Sequence, residues 1–345
     1  MRATDAQIDD AARALMRGEL VAFPTETVYG LGADASAPGA VARIYAAKGR
    51  PSNHPVIVHV AKPSDIQAWC SDVPNQAWAL AKAFWPGPLT MILRRNHAVD
   101  ALVSGGQHTI GVRCPLHPVA HALLTAFAKM KTDAGEVLAG VAAPSANRFG
   151  RVSPTQAQHV RTEFVDLVQQ GMPVLEGGDS EVGIESTIVD LSSLSDGGSV
   201  ALLRPGAITS EQIEAVLGCK VSGQTKQSPR VSGSLKAHYA PATPLMLCPG
   251  VSLGVWVKRW LDTHEGRLAV MTRSGFKFSS DRLEQVLMPQ AAADYARELY
   301  ASLRRIDDLP VNALVIEQVP NDTEWAGVVD RLSRAAAAFK EDNSP

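Results

Sequence analysis

The sequence predicts an α/β fold in two parts, a larger domain followed by a smaller one. Helix-period and strand-like segments alternate from the start of the chain, which is typical of α/β proteins. A length of 345 residues is long for one domain. After residue 218 the stretch "CKVSGQTKQSPRVSGSLKAHYAP" is rich in Ser, Gly, Lys and Pro and lacks apolar periodicity. We therefore expect a first domain over 1–218, a linker over 219–241 and a small α/β domain over 242–345.

Apolar periodicity predicts the elements of the first domain in chain order. Helices are expected over 5–18, 39–49, 117–130 and 209–218, the second of them closed by Gly49. Strands are expected over 20–23, 56–60, 89–93, 109–113, 138–143, 186–191 and 200–204. In the second domain, strands and helices alternate again over 244–248, 254–262, 267–272, 292–307, 312–319 and 325–339.

Composition limits the class of protein. Hydrophobic residues make up 46% and charged residues 20%, as in ordinary globular proteins. The formal net charge of -2 argues against general coating of nucleic acid, so polyanion binding would need a local cluster of cations. The four cysteines are far apart, which favours neither a disulfide framework nor a zinc site. An amphipathic N-terminus and the lack of a long apolar run predict a cytoplasmic protein without membrane contact.

The stretch "VAFPTETVYGLGADA" at 21–35 differs from an ordinary strand-to-helix connection. It leaves an apolar strand through Pro24 and offers hydroxyl and carboxyl side chains before Gly30 and Gly32. No phosphate-binding P-loop occurs in the chain, and only two glycines of a dinucleotide fingerprint are present. The segment therefore suggests a binding wall of a less familiar kind.

Four cations stand at the ends of predicted elements, where ligands of open α/β sheets usually bind. Lys48 and Arg50 stand at the C-terminus of a helix beside Gly49, and Arg113 and Arg204 end strands. Complementing a helix dipole, or simple solvation at a strand end, would explain each one alone. Because a chance meeting of four is less plausible, we expect them to share a site.

Polar residues in the "APSANRFGRVSPT" loop could join these cations. Ser145 and Asn147 are suited to bind ligand oxygens or an adenine edge, and Ser153 could either cap the next helix or face a phosphate. His117 and His121 have an i, i+4 spacing, but without a third ligand metal binding is disfavoured. No arrangement typical of covalent catalysis is evident.

Seven motifs in order carry a family resemblance. They are "FPTETVYGLGADA", "KGRPSNHPVIVHV", "WPGPLTMIL", "IGVRCPLHP", "APSANRFGRVSPT", "GIESTIVD" and "LLRPG". Over about residues 8 to 210 the chain resembles the YrdC-like threonylcarbamoyl-AMP synthases. The linker ending in "HYAP" and the small domain after it resemble the long, two-domain form. The resemblance implies a twisted open mixed sheet around a concave basic cavity, plus a Rossmann-like C-terminal domain.

The resemblance also implies the reaction. L-threonine, bicarbonate or CO₂, and ATP with Mg²⁺ would give threonylcarbamoyl-AMP and pyrophosphate, so the protein would be a nucleotidyltransferase. The product would pass to a threonylcarbamoyl transferase complex that modifies tRNA, and direct contact with tRNA is left open. No protein side chain is assigned to a metal. The linker is expected to act as a lid.

Matching motifs imply the site residues. Lys48, Arg50 and Arg113 are assigned the catalytic role of stabilising charge. Contacts to threonine are expected from Thr27, His59, Arg113, Ala143 and Thr187, with the guanidinium fork of Arg113 on the substrate carboxylate. Contacts to ATP are expected from Arg50, His54, Thr109, Ser145, Asn147, Ser153, Arg204 and Tyr239.

Two other functions compete with this interpretation. A non-enzymatic module that binds tRNA or double-stranded RNA would contact phosphates through Lys48, Arg50, Arg148 and Arg151, although stacking aromatics are few. A transferase that uses carbamoyl phosphate is a more distant alternative, and it would release inorganic phosphate instead of pyrophosphate.

Overall fold

A computed structural model describes residues 2–340 and divides them into two compact units. The first comprises residues 2–149, 153–181 and 185–234, and the second comprises 150–152, 182–184 and 235–340. The predicted linker is therefore shared, because its residues to 234 belong to the first unit and those from 235 to the second. The domain boundaries predicted from composition stay a prediction.

The first unit is built on a mixed sheet of ten strands. The strands are β1 Val21–Phe23, β2 Gly30–Asp34, β3 Ile57–His59, β4 Cys70–Asp72, β5 Leu89–Arg95, β6 Thr109–Arg113, β7 Val141–Ala142, β8 Thr187–Asp190, β9 Ala201–Arg204 and β10 Ser222–Gly223. Their order is β1-β2-β7-β3-β6-β5-β8-β9-β10, with β4 paired to β5. The pairs β3/β6, β5/β8 and β9/β10 are parallel and the others antiparallel. This confirms the predicted mixed α/β sheet.

Helices cover the sheet. They are α1 Asp5–Met16, α2 Pro38–Lys48, α3 Ile66–Trp69, α4 Asn75–Phe84, α5 Pro118–Asp133, α6 Ala157–Glu163, α7 Val165–Gln169 and α8 Ser210–Leu217. One core contains residues of α2, α4 and α8 packed on β3, β5 and β6. A second contains residues of α1 and α5 packed on β1 and β7. Gly49 ends α2 in the left-handed conformation with φ 62°, as predicted.

The second unit contains a four-stranded sheet in which every pairing is parallel. Its strands are β11 Leu245–Cys248, β12 Leu268–Thr272, β13 Leu283–Leu287 and β14 Ala313–Glu317, in the order β11-β14-β12-β13. Its helices are α9 Gly250–Thr263, α10 Ala292–Asp307 and α11 Ala326–Ala337. All residues of β12 are buried, as expected for a parallel sheet covered on both faces. The predicted small α/β domain is thus confirmed.

Strand β2 is an element that sequence analysis misses, as are helix α4 and strand β13. Residues 30–34 pair antiparallel with β1, so Gly30 and Gly32 lie within a strand and not in a binding loop. A Cβ on Gly32 would lie 2.8 Å from both Phe23 Cε1 and Val141 Cγ1, whereas a Cβ on Gly39 would meet nothing within 4 Å. Gly32 is therefore required for close packing between the sheet and Phe23.

Gly32→Ala is expected to destabilise the first unit by about 1–3 kcal/mol, because the added methyl overpacks a closed core. Gly39→Ala is the matched control, since it lies exposed in α2, and it should be neutral or stabilise by up to about 1 kcal/mol. Urea unfolding followed by circular dichroism measures both. Equal midpoints for the two variants would contradict the packing argument.

Candidate active site

Strand alternation brings several of the predicted residues to one face of the sheet in the first unit. His59 lies opposite Arg113 in the β3/β6 register, and Thr109 is on the same face two pairs away. Arg204 is paired with Ile188 on the neighbouring strands. Residues that are far apart in the sequence, between positions 59 and 204, therefore share one face of the sheet.

Arg113 is held by three groups at the end of β6. Its Nε donates to the carbonyl of Gly87 at 3.2 Å, and its Nη1 donates to the hydroxyl of Thr27 at 2.8 Å. Its Nη2 lies 2.6 Å from Oε1 of Glu26, and both side chains are at most 5% exposed. The predicted proximity of Thr27 and Arg113 is therefore present, since the two side chains are hydrogen-bonded.

Glu26 is the residue that sequence analysis misses. It stands in the loop between β1 and β2, and its Oε2 accepts a hydrogen bond from the amide of Leu116 at 3.2 Å. The neighbouring hydroxyl of Thr25 bonds to Thr27 at 2.8 Å and to the carbonyl of Val28 at 2.6 Å, which fixes the loop. The only sequence signal for Glu26 is a carboxylate between two threonines in an otherwise apolar stretch.

His59 is a neutral group in this site. Burial, with the positive charge of Arg113 as a second cause, lowers the pKa of His59 to about 3. The Nδ1 atom lies 3.3 Å from the carbonyl of Ile57, and because a carbonyl only accepts, a proton on Nδ1 would donate to it. The ring packs edge-on against Phe23 at 6.2 Å. His59 therefore adds no charge to the Arg113 region.

Lys48 fastens the loop that carries Ser145 and Asn147. Its Nζ donates to the carbonyl of Ser145 at 2.6 Å and also to the carbonyl of Asn147. Burial, followed by the nearby charge of Arg50, lowers the pKa of Lys48 well below its usual range. The Asn147 side chain donates to the carbonyl of Arg148 at 2.8 Å. The predicted grouping of Lys48 with Ser145 and Asn147 is present, but Lys48 contacts their backbone.

Arg50 and Arg204 converge on one residue of the linker. Nη2 of Arg50 lies 3.4 Å from the hydroxyl of Ser232, and Nη1 of Arg204 donates to the carbonyl of Ser232 at 2.9 Å. Arg50 also donates to the carbonyl of Pro55 at 2.8 Å, and its guanidinium stacks over Phe149. Both arginines are buried. The two predicted nucleotide contacts thus lie on either side of one short segment.

Ser186 orients the guanidinium of Arg204 through two hydrogen bonds. The guanidinium donates to the carbonyl of Ser186 at 2.8 Å and to its hydroxyl at 3.1 Å, and that hydroxyl also bonds to Thr90 at 2.8 Å. His54 packs edge-on against Phe149, and burial, then the charges of Arg50 and Arg230, lowers the pKa of His54. A mostly neutral His54 at this edge is consistent with a hydrogen-bonding role.

The linker segment 230–232 lies on the site face. The side chain of Gln107 exchanges hydrogen bonds with the backbone of Arg230 at 2.8 and 3.0 Å. Val231 is buried against Ile92, Ile188 and Leu203. A cavity of about 10 Å³ remains beneath the segment, lined in part by Thr109 and Ser232. The segment therefore covers this part of the sheet in the structure.

Two comparisons match the chain to known sequence families. Residues 13–206 match the family described as "Telomere recombination", and residues 208–337 match the family described as "Threonylcarbamoyl-AMP synthase, C-terminal domain". The chain is 34% identical over 94% of its length to the threonylcarbamoyl-AMP synthase of Pyrococcus abyssi, covering 93% of that protein. It belongs to the threonylcarbamoyl-AMP synthase family.

Further relatives of the family support this assignment. The threonylcarbamoyl-AMP synthase of Bacillus subtilis is 38% identical over 96% of this chain and 93% of its own length. The crystal structure of P. abyssi Sua5 complexed with L-threonine matches with a TM-score of 0.85 and 31% identity, over 98% of this chain and 96% of that one. The family resemblance read from the seven motifs is confirmed.

The hydroxyls of Thr187 and Ser153 both contact neighbouring parts of the first unit. The Thr187 hydroxyl donates to the carbonyl of Ile208 at 2.7 Å and accepts from the Ile208 amide, so it anchors the loop after β9. The hydroxyl of the neighbouring Ser186 contacts Thr90 and Arg204, and the contact of Thr187 with threonine stays a prediction. Ser153 caps no helix, because α6 begins after Gln156, and its hydroxyl contacts the buried Glu185. The capping alternative for Ser153 is therefore wrong.

The remaining predicted positions are placed as follows. Ala143 donates its amide to the carbonyl of Ile57 at 3.0 Å, beside the site strand β3. Tyr239 belongs to the second unit, where it has φ 60°, stacks on Tyr300 at 5.9 Å and lies under the guanidinium of Arg331. The second unit fixes this tyrosine tightly.

Of the two histidines at i, i+4 spacing, His117 has a structural role. Nδ1 of His117 accepts from the amide of Val119 and so caps α5, while His121 is exposed. Within residues 2–340, no group of three or more His, Cys, Asp or Glu side chains is arranged to hold a metal ion. Across the same residues, the structure contains no helix long and apolar enough to cross a membrane.

The low pKa of His59 has a consequence for acid stability. Because the folded state keeps His59 neutral down to about pH 3 while the unfolded chain takes up a proton near 6.5, stability falls as the pH drops through this window. His59→Gln should remove that part of the loss. Urea unfolding at pH 7 and pH 4 is expected to give a smaller difference for the variant, by several kcal/mol at most. An equal difference in both proteins would contradict a buried neutral His59.

Proposed function

We propose that this chain is an L-threonylcarbamoyladenylate synthase. The threonine amine and CO₂ or bicarbonate first form a carbamate. A carbamate oxygen then attacks the α-phosphorus of ATP, and pyrophosphate leaves as the P–O bond to the β-phosphate breaks. The product would serve a transferase that modifies adenosine in tRNA. The name and bound L-threonine of the P. abyssi relative support this proposal.

The observation that carries it is the separation of two charge environments on one sheet face. Arg113 is matched by Glu26, so its surroundings suit a small molecule with little net charge. Arg50 and Arg204 both contact Ser232, and two guanidinium groups beside one short segment suit the phosphate oxygens of a nucleotide. We assign threonine to the first region and ATP to the second.

ATP is proposed to enter with Mg²⁺ as part of the substrate. The cations Arg50 and Arg204 would stabilise charge that moves onto the departing pyrophosphate. Lys48 would act through the loop of Ser145 and Asn147, which it holds by their carbonyls. No general base is assigned.

The segment 230–232 is proposed to open for the nucleotide. The segment lies over Thr109 and contacts Arg50 and Arg204, three of the residues predicted to bind ATP, so it would leave this surface when the nucleotide binds there. Closing again over the substrates would shield the carbamate, which decomposes in water. This supports the predicted lid role for the linker.

The RNA-binding alternative is weakened by burial. Of its four proposed phosphate contacts, Lys48 and Arg50 are buried and only Arg148 and Arg151 are exposed. Two exposed cations make a poor footprint for a polyanion. A cytoplasmic location stays a prediction from composition.

The test follows labelled bicarbonate and pyrophosphate with ATP, Mg²⁺ and each amino acid in turn. Threonine-dependent label in an adenylate, with an equal amount of pyrophosphate, is expected. Arg113→Ala should lower kcat/KM for threonine about 100-fold, because a buried charged contact is lost, while nucleotide binding persists. Arg113→Lys keeps the positive charge and serves as the second variant if Arg113→Ala does not fold.

Label without threonine, or inorganic phosphate in place of pyrophosphate, would contradict the proposal. Folded protein with neither product, but with RNA affinity that falls steeply with salt, would favour the RNA-binding alternative. Unchanged threonine kinetics in Arg113→Ala would show that the carboxylate binds elsewhere.

A further inference from the structure

Glu26 is a buried acid that is not among the site residues predicted from the sequence. It is 3% exposed and comes from the loop after β1, whereas its partner Arg113 ends β6. Burying a carboxylate is costly unless its oxygens are bound. One oxygen, Oε2, meets this need through the amide of Leu116.

The other oxygen forms an ion pair with Arg113 without a well-directed hydrogen bond. Oε1 of Glu26 lies 2.6 Å from Nη2 of Arg113. Yet among the residues that the structure describes, neither of these two buried atoms has a hydrogen-bond partner of acceptable geometry. Buried donors and acceptors are nearly always satisfied, and an unsatisfied pair calls for a specific explanation. Here an acceptor and a donor of opposite charge stand side by side with unused capacity.

The surroundings are balanced in charge. Thr27 contributes a hydroxyl to Nη1 of Arg113, and His59, opposite Arg113 in the sheet, is neutral. One positive and one negative group therefore face each other. Such a pair complements a zwitterion better than it complements an anion, because an anion alone would leave the carboxylate of Glu26 facing like charge.

We propose that Glu26 binds the α-amino group of threonine while Arg113 binds its carboxylate, so that this pair selects α-amino acids. The inference rests on the proposed function, in which threonine is the substrate. The two groups of an amino acid are attached to one carbon, and their receptors must be adjacent, as Oε1 and Nη2 are. Since both atoms are buried, the ligand would take the place of the contact between them.

The test compares two ligands. L-threonine has both charged groups, and (R)-3-hydroxybutyrate has the same hydroxyl and carboxylate but lacks the amine. Calorimetry, or competition in the pyrophosphate assay, gives both affinities for the wild-type chain and for Glu26→Gln, which keeps the shape and removes the charge. Threonine affinity should fall about tenfold or more, while hydroxybutyrate affinity stays within about twofold or rises.

A role in positioning Arg113 alone would give another result. Both ligands would then lose affinity in parallel, and the inference would be overturned, as it would be if neither affinity changed. Glu26→Asp retains the negative charge but shortens the side chain by one methylene, which moves the carboxylate away from Arg113. It should keep part of the preference for threonine and serves as the deciding variant if Glu26→Gln does not fold.

Asp34→Asn is the matched control. Asp34 is also buried and pairs with Lys131 at 2.9 Å, so its variant breaks a comparable ion pair outside the site. Its preference between the two ligands should equal that of the wild type, and a change as large as in Glu26→Gln would overturn the inference. Wild-type protein that binds no threonine would remove the proposed function itself. Threonine-dependent turnover with no effect of Glu26→Gln would remove only the inference.

Discussion

The first unit depends on the buried contact between Glu26 and Arg113. It joins the loop after β1 to the end of β6, two strands that are separated by β2, β7 and β3 in the sheet. Through Nε of Arg113 it reaches the turn before β5 at Gly87, and through Oε2 of Glu26 it reaches the segment before α5 at Leu116. Removing one partner of such a pair typically costs about 3–5 kcal/mol, because the other charge is left buried.

The other buried cations are positioned by a different means. Lys48, Arg50 and Arg204 donate to main-chain carbonyls of neighbouring loops. A carbonyl oxygen accepts a hydrogen bond and so fixes the direction of each of these groups. Glu26 and Arg113 form one region of the sheet face, and Arg50 and Arg204, which both contact Ser232, form another. The proposed division between amino acid and nucleotide follows these two regions.

Periodicity was sufficient to predict most strands and helices, and the ends of those elements identified the cations. It was insufficient for β2. The glycines of this strand allow tight packing on Phe23, and residue propensities do not show such packing. Ser186 illustrates a second limit. Its contact with Arg204 depends on how β8 is aligned with its neighbouring strands, which is a non-local property.

Glu26 shows the third limit. A lone carboxylate in a loop has no spacing pattern, and its role becomes visible only once Arg113, from 87 positions further along the chain, lies beside it. Motif resemblance assigns Thr27 and Arg113 to one ligand, and the two side chains are hydrogen-bonded, yet the resemblance assigns no role to Glu26. Partners brought together by the sheet therefore supply what sequence motifs omit.

A crystal structure of this protein with L-threonine bound tests the central claim most directly. The account predicts the carboxylate of threonine on the guanidinium of Arg113 and its amino group within hydrogen-bonding distance of Glu26, with the contact between the two side chains opened. Threonine bound elsewhere, or bound at Arg113 while Glu26 keeps its present contact and does not touch the ligand, would contradict it.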